Sequence, residues 1–180
     1  GKKLAQLHQI EGKFFGLDHD NYIGSLEQIN KECGEWSEFY TNHRLLTLTA
    51  IARNQGLFEK KHCNWVEKLC QRLDELIPAC KPSLIHGDLW SGNLLIHASG
   101  HPVLIDPAVY YGHPEMDWAM LSLFGSYPVE ALDHYQNLHP LEKGLNERKD
   151  IHQLYPLMVH LILFGKGYLN GVESTLKKYA

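Results

Sequence analysis

No run in the chain approaches the roughly 20 consecutive apolar residues that a membrane-spanning helix needs. The longest candidate, around Leu157 to Phe164, is too short and contains His160. The opening Gly1-Lys2-Lys3-Leu4 lacks the apolar core of a signal peptide, and no Asn-x-Ser/Thr acceptor occurs. The four cysteines, at 33, 63, 70 and 80, include no C-x-x-C pair. They read as isolated thiols of a reducing compartment, so the expectation is a cytoplasmic protein without a disulfide or zinc framework. Twelve histidines are present but no H-E-x-x-H. Basic residues are not in excess: 17 Lys and Arg stand against 21 Asp and Glu, for a formal charge of -4. With no basic stripe to neutralise a row of phosphates, nucleic acid is not an expected partner.

What remains is ordinary globular composition, 44% hydrophobic and 21% charged over 180 residues, with no internal repeat or Pro/Gly/Ser-rich linker. One domain over residues 1–180 is expected. Its character is mainly helical. Leu4 and Leu7 mark a short helix over Lys3 to Ile10, and the polar, turn-rich Asp18 to Asn30 reads as loop. Trp36, Phe39, Tyr40 and His43 follow the i, i+3, i+4, i+7 spacing of a helix that runs on through Ala50, with Gly56 as its stop. A second long helix carries Val66, Leu69, Leu73, Leu76 and Ile77 and ends at Pro78.

At Ser83 the pattern changes. Ser83 to His86 is a short strand and Gly87 to Gly92 a loop; Asn93 to Ile96 and Pro102 to Ile105 are strands about the turn Ala98-Ser99-Gly100. After Asp106 comes a loop, and Pro114 opens a helix through Phe124. Leu154 to Phe164 reads as a buried helix and Lys166 to Tyr179 as another. The fold class predicted is mainly α with a small β-hairpin (α+β).

The chemistry concentrates in His86-Gly87-Asp88-Leu89-Trp90-Ser91-Gly92-Asn93, followed by Val103-Leu104-Ile105-Asp106-Pro107. An Asp, an Asn five residues on, and a hairpin ending in a second Asp is the spacing used by kinase catalytic machinery. Asp88 can take the proton of an acceptor hydroxyl. An amide carbonyl from Asn93 and a carboxylate from Asp106 are the oxygen ligands that a hard ion such as Mg²⁺ prefers. Singly, each of these residues could equally be a turn residue; it is their order that points to phosphoryl transfer.

His86 to Asn93, the run Ile105-Asp106-Pro107-Ala108-Val109-Tyr110-Tyr111-Gly112-His113-Pro114-Glu115-Met116-Asp117, and Ala119-Met120 resemble the fructosamine kinase (ketosamine kinase) family. That family belongs to the protein-kinase-like superfamily, with aminoglycoside phosphotransferases and choline kinases among its relatives. Phe15-Gly16, Asp20-Asn21-Tyr22-Ile23-Gly24 and Trp36-x-x-Phe39-Tyr40-x-x-x-Arg44-Leu45 share the resemblance, which covers most of the chain to about residue 125. It implies an ATP-dependent kinase acting on a sugar hydroxyl of ketosamine adducts, small sugar-amines or glycated proteins, in support of deglycation. Asp88 is then the base, Asn93 and Asp106 hold Mg²⁺, and Leu95 and Ile105 floor the adenine pocket. Trp90 is a candidate for sugar contact or a half-buried anchor of the loop; Tyr111, His113 and Glu115 are candidates for substrate contact, with a stiff structural loop as their favoured alternative role. His86 and Asp117 support the loop; Asp117, a carboxylate in an apolar helical stretch, should bond backbone donors of that loop.

The family's small amino-terminal lobe, with its phosphate-covering loop, strand Lys and helix Glu, has no counterpart in this sequence, and no G-x-x-x-x-G-K-[ST] precedes Asp88. The expectation is the carboxy-terminal helical lobe of a kinase-like fold, active only with that second lobe. An aminoglycoside, choline or other hydroxyl acceptor, and a noncatalytic binding lobe, stand as alternatives. A cationic-amine acceptor predicts extra carboxylates around Asp88, whereas Trp90 and the Tyr110-Tyr111 pair favour sugar stacking.

Overall fold

The computed structural model describes residues 1–179. Its centre is a 20-residue helix, α8 (Leu145–Phe164), apolar over most of its circumference from Ile151 onward and therefore buried on several sides. Pro156 lies inside it and cannot donate to the His152 carbonyl one turn back. The Tyr40 hydroxyl donates beside that gap, to the Ile151 carbonyl at 2.6 Å. The helix begins at Leu145 and not at Leu154, because its charged first turns lie at the surface and carry no apolar period.

Around α8 pack α6 (Glu115–Leu121), α3 (Thr47–Asn54) and α9 (Leu169–Tyr179). The remaining α-helices among the described residues are α1 (Lys2–His8), α2 (Trp36–Tyr40), α4 (Lys60–Cys70), α5 (Leu73–Leu76) and α7 (Val129–Gln136). The predicted helix from Glu35 is α2 and α3 joined by a π-helical turn, Thr41–Leu46. That turn carries Arg44 into the core, where its guanidinium lies 4.5 Å from the Phe39 ring centroid, 4.1 Å from that of Tyr110 and 5.3 Å from that of Tyr155. No carboxylate pairs with it among the described residues. Its charge is met by the carbonyls of Ile29 and His43, by Asn30 Oδ1 and by the ring faces. The second predicted helix divides at Gln71-Arg72 into α4 and α5. No helix among the described residues is long and apolar enough to cross a membrane.

Among the described residues, six three-residue strands form three antiparallel pairs: β1 (Asn21–Ile23) with β2 (Leu26–Gln28), β3 (Ser83–Ile85) with β6 (Tyr110–Gly112), and β4 (Leu94–Ile96) with β5 (Pro102–Leu104). Only the last is the expected hairpin. The stretch from Asp18 to Asn30, read as loop, holds β1 and β2; the segment after Asp106, also read as loop, holds β6. Strands this short show too little alternation to be seen in sequence, and side-chain amides pin the first pair: Asn21 Nδ2 donates to the Val109 carbonyl and Gln28 Nε2 to that of Ala108.

Candidate active site

The pair Ile85↔Tyr110 closes the β3–β6 ribbon, so the segments leaving it, 86–93 and 105–109, lie side by side. Three hydrogen bonds lace them together. Ala108 N–H donates to the His86 carbonyl at 2.9 Å, His86 Nε2–H to the Ile105 carbonyl at 2.9 Å, and Ile105 N–H to the Asn93 carbonyl at 3.1 Å. With its Nε2 proton spent on a carbonyl, the His86 ring offers Nδ1 as acceptor to Asp88 N–H at 3.3 Å. Asp88, Asn93 and Asp106, separated in sequence, are thus gathered on one laced pair of segments. Gly87 sits at φ +81°, and a Cβ there would lie 2.1 Å from the Ala108 carbonyl oxygen, so only glycine allows the two segments to approach.

Asp117, in the first turn of α6, lies beneath this loop with no exposure to solvent. Oδ2 accepts from His86 N–H at 2.8 Å and Oδ1 from Gly87 N–H at 3.0 Å; His8 Nε2, from α1, donates to Oδ2 at 3.0 Å. Burial alone would push this carboxyl upward, but the His8 hydrogen bond and charge, together with the His86 N–H, outweigh it and hold the group below the usual aspartate range.

Asp88 itself is half-buried. Burial raises its carboxyl above the ordinary value, against lowering by His86, by His160 and by the Asn93 hydrogen bond. Asn93 Nδ2 donates to the Asp88 carbonyl at 2.9 Å and to Asp88 Oδ2 at 3.2 Å. That leaves Asp88 Oδ1 with no donor among the described residues. It also leaves the carbonyl oxygen as the uncommitted end of the Asn93 amide. Asp106 is exposed and adopts φ +51°, the left-handed region that Asp tolerates at roughly 1–2 kcal/mol. A carboxylate and an amide carbonyl on adjacent laced segments form an all-oxygen donor set that fits Mg²⁺.

The β4–β5 hairpin is exposed on both faces, an unusual state for Leu94, Leu95, Ile96, Val103 and Leu104. Leu94, Pro102 and Leu104 line a cavity of about 150 Å³ with Leu4, Leu89 and Trp118. By alternation Leu95, its partner Val103 and then Ile105 face the opposite way, a flat apolar platform next to Asn93 and Asp106. On the loop side, Trp90, Phe124, His160, Phe164 and Tyr168 line an open cleft of about 320 Å³. The Trp90 ring lies over Gly92, where a Cβ would be 2.3 Å from it, and meets Phe124 edge-on at 6.3 Å between centroids. His160 packs against Phe124, Phe164 and Tyr168 at 4.8, 5.4 and 5.1 Å, and its Nδ1–H donates to the Pro156 carbonyl at 2.7 Å, so Nε2 is the ring's free nitrogen. The cleft lining contains no Asp or Glu.

Three residues expected near substrate lie elsewhere. His113 and Glu115 are 2% and 0% exposed and engaged internally. Arg148 grips Glu115 through both Nε and Nη2, and His152 Nε2 approaches Oε2 at 3.2 Å. Burial alone would raise Glu115, yet these hydrogen bonds hold it at about 2; burial and the neighbouring His152 push His113 down to about 3. The ligand atoms of His113, Glu115 and His152 lie within 4.8 Å of one another, but Arg148 already neutralises the carboxylate, and the cluster is a buried ion network that ties α6 to α8. Tyr111 covers Gly12 and lines a separate hollow with Lys13, Phe14 and Gly16, and Tyr110 is fully buried, so neither tyrosine lines the cleft. Sequence reasoning missed His8, Phe124, His160, Phe164 and Tyr168. The i, i+4, i+8 spacing of His160, Phe164 and Tyr168 is the one signal that could have found the cleft wall.

The chain is similar throughout to known proteins. A family model described as fructosamine kinase matches residues 1–180. A protein of Lactiplantibacillus plantarum called "Probable ketoamine kinase" is 41% identical over 181 residues, covering 99% of this chain and 65% of that protein. A crystal structure from Thermobifida fusca, provisionally called a fructosamine-3-kinase, superposes with a TM-score of 0.91 at 39% identity, covering 97% of this chain and 61% of that one. The chain therefore spans less than two thirds of the length of these relatives. The gentamicin–APH(2″)-IIa complex, at TM-score 0.51 and 18% identity, shares the fold alone.

Proposed function

The chain belongs to the fructosamine kinase family, and on that premise we propose that it carries the catalytic and acceptor-binding lobe of an ATP-dependent kinase that phosphorylates a sugar hydroxyl of ketosamine adducts, supporting deglycation. The observation that carries this reading is the lacing of segments 86–93 and 105–109, which gathers Asp88, Asn93 and Asp106 next to the apolar hairpin face, with the aromatic cleft beginning two residues after Asp88, at Trp90. The γ-phosphoryl group leaves ADP as the bond to the β–γ bridging oxygen breaks, and the sugar hydroxyl oxygen forms the new P–O bond. The hydroxyl proton passes to Asp88, whose Oδ1 is the free oxygen while Asn93 holds Oδ2. Burial of Asp88 makes it a better proton acceptor than an exposed aspartate. Asn93 and Asp106 hold Mg²⁺, which neutralises phosphate charge when bound. Leu95 and Ile105 offer the adenine its apolar floor.

For the acceptor, the Trp90 ring can stack on the C–H face of a sugar, while His160 Nε2 is free to bond a hydroxyl. A cleft without carboxylates argues against polycationic aminoglycosides. Ring faces can hold a single quaternary ammonium in place of the expected carboxylates, so a choline-type acceptor is the second reading. Phosphoryl transfer by the full-length protein to fructosamines, choline and aminoglycosides separates them. Preference for the fructosamine supports the proposal, and turnover confined to choline or an aminoglycoside contradicts it.

A further inference from the structure

Asp117 has a partner 109 residues away in the sequence. His8 closes α1, and its Nε2 meets Asp117 Oδ2 at 3.0 Å while its Nδ1 lies 2.7 Å from the Tyr135 hydroxyl of α7. All three side chains are fully buried. A carboxylate only accepts, so Nε2 carries the hydrogen, and the Tyr135 contact fixes the ring rotation that aims it. Helix α1 is itself tied to the strand leading into the loop: Leu84 N–H donates to the Ile10 carbonyl at 2.9 Å and Gly12 N–H to the Pro82 carbonyl at 2.9 Å. His8 is thus a fixed point relative to β3.

We propose that His8, oriented by Tyr135, is a positioning residue for phosphoryl transfer: it immobilises the Asp117 carboxylate, which in turn fixes the backbone from which Asp88 projects. The kinetic part of this inference rests on the kinase reading above. Terminal carboxylate torsions are broad and soft, so an Asp117 held only by two loop N–H groups can rotate with the loop. His8 removes that freedom, because it and His86 N–H share Oδ2 from different elements. Gly87 has no side chain with which to anchor the loop independently.

The test compares His8→Leu, His8→Gln and Tyr135→Phe in the full-length protein, by kinetics and by amide hydrogen exchange on the same samples. Leucine keeps apolar volume but no donor; glutamine returns a donor near the Nε2 position. Misplacing the base by about 1 Å lowers kcat about 10²-fold in His8→Leu with both KM values unchanged, and His8→Gln recovers most of it. Tyr135→Phe, which leaves the ring in place, lowers kcat about threefold without altering either KM, as expected for a loosened His8. In exchange, the His86 and Gly87 amides open about tenfold faster in His8→Leu and not in His8→Gln, while those of α8 hold. An inactive wild type whose loop still loosens in His8→Leu refutes the kinase reading and supports the hold of His8 on the loop. An active wild type whose kcat per folded molecule and loop exchange are both indifferent to His8→Leu and Tyr135→Phe overturns the proposal.

Discussion

Replacing Asp117 by Asn changes one oxygen to an NH₂ group and leaves the volume alone, which makes its consequence calculable from the hydrogen bonds. Three buried donors converge on the carboxylate, two on Oδ2 and one on Oδ1. The amide does best with its oxygen in place of Oδ2, serving His8 and His86; its NH₂ then confronts Gly87 N–H, donor against donor. One buried donor left unmade costs about 1–3 kcal/mol, and each of the two retained bonds loses about 1 kcal/mol on passing from charged to neutral acceptor. The burial penalty that the carboxylate carries is returned, so a net loss of about 3 kcal/mol is expected. Urea unfolding at pH 7 reads it as a lower midpoint at constant m, and kcat should fall with it because the loop keeps only one of its two bonds to residue 117. A loss below about 1 kcal/mol would refute the view that Asp117 is the loop's principal anchor.

Glu115→Gln should destabilise by about 3–5 kcal/mol at neutral pH, since Arg148 is left without its buried partner. Because Glu115 is held at about 2 against 4.5 when unfolded, its contribution is complete above 4.5 and lost as pH falls toward 2, so the gap between variant and wild type should close across that window in thermal unfolding. His113 is depressed to about 3 against 6.5 unfolded, and stays neutral in the fold while the unfolded chain protonates; stability therefore fades as pH falls from 6.5 toward 3, and His113→Gln should flatten that slope of Tm against pH. Asp106→Ala should weaken Mg-ATP binding more than Asn93→Ala in calorimetric titration, a charged ligand opposing the ion more strongly than an amide dipole; wild-type affinity in both would remove the metal assignment.

The long amphipathic helices and the hairpin around Ala98-Ser99-Gly100 were legible because their apolar period or turn chemistry is local. Asp117 was legible in a different way: a carboxylate in Met116-Asp117-Trp118 has to find donors, and the preceding loop is where free backbone donors exist. His8 was not, because 109 residues separate it from Asp117 and a histidine at the end of an apolar helix face carries no mark of its partner. The choice between substrate contact and a structural role for His113 and Glu115 was open for the same reason: only Arg148 and His152, arriving on α8, make their burial tolerable. The π turn that brings Arg44 inward likewise answers to Tyr110 and Tyr155, which no local pattern connects to it. The cleft wall was spaced correctly for recognition at His160, Phe164 and Tyr168, but the first two lie in a helix that reads as uniformly buried and Tyr168 lies beyond its end at Gly165.

On the proposed reading, Asp88 accepts the proton of a ketosamine hydroxyl. Its carboxyl is raised by burial, so ionised Asp88 is mildly disfavoured by the fold at neutral pH, and Asp88→Asn should leave Tm unchanged or slightly higher. In the full-length protein, phosphoryl transfer from Mg-ATP to a fructosamine-bearing peptide should then fall by about 10²–10⁴-fold in kcat with Mg-ATP binding retained. A stable Asp88→Asn variant that keeps more than about half of the wild-type kcat would contradict it, since a positioned base is worth far more than a factor of two.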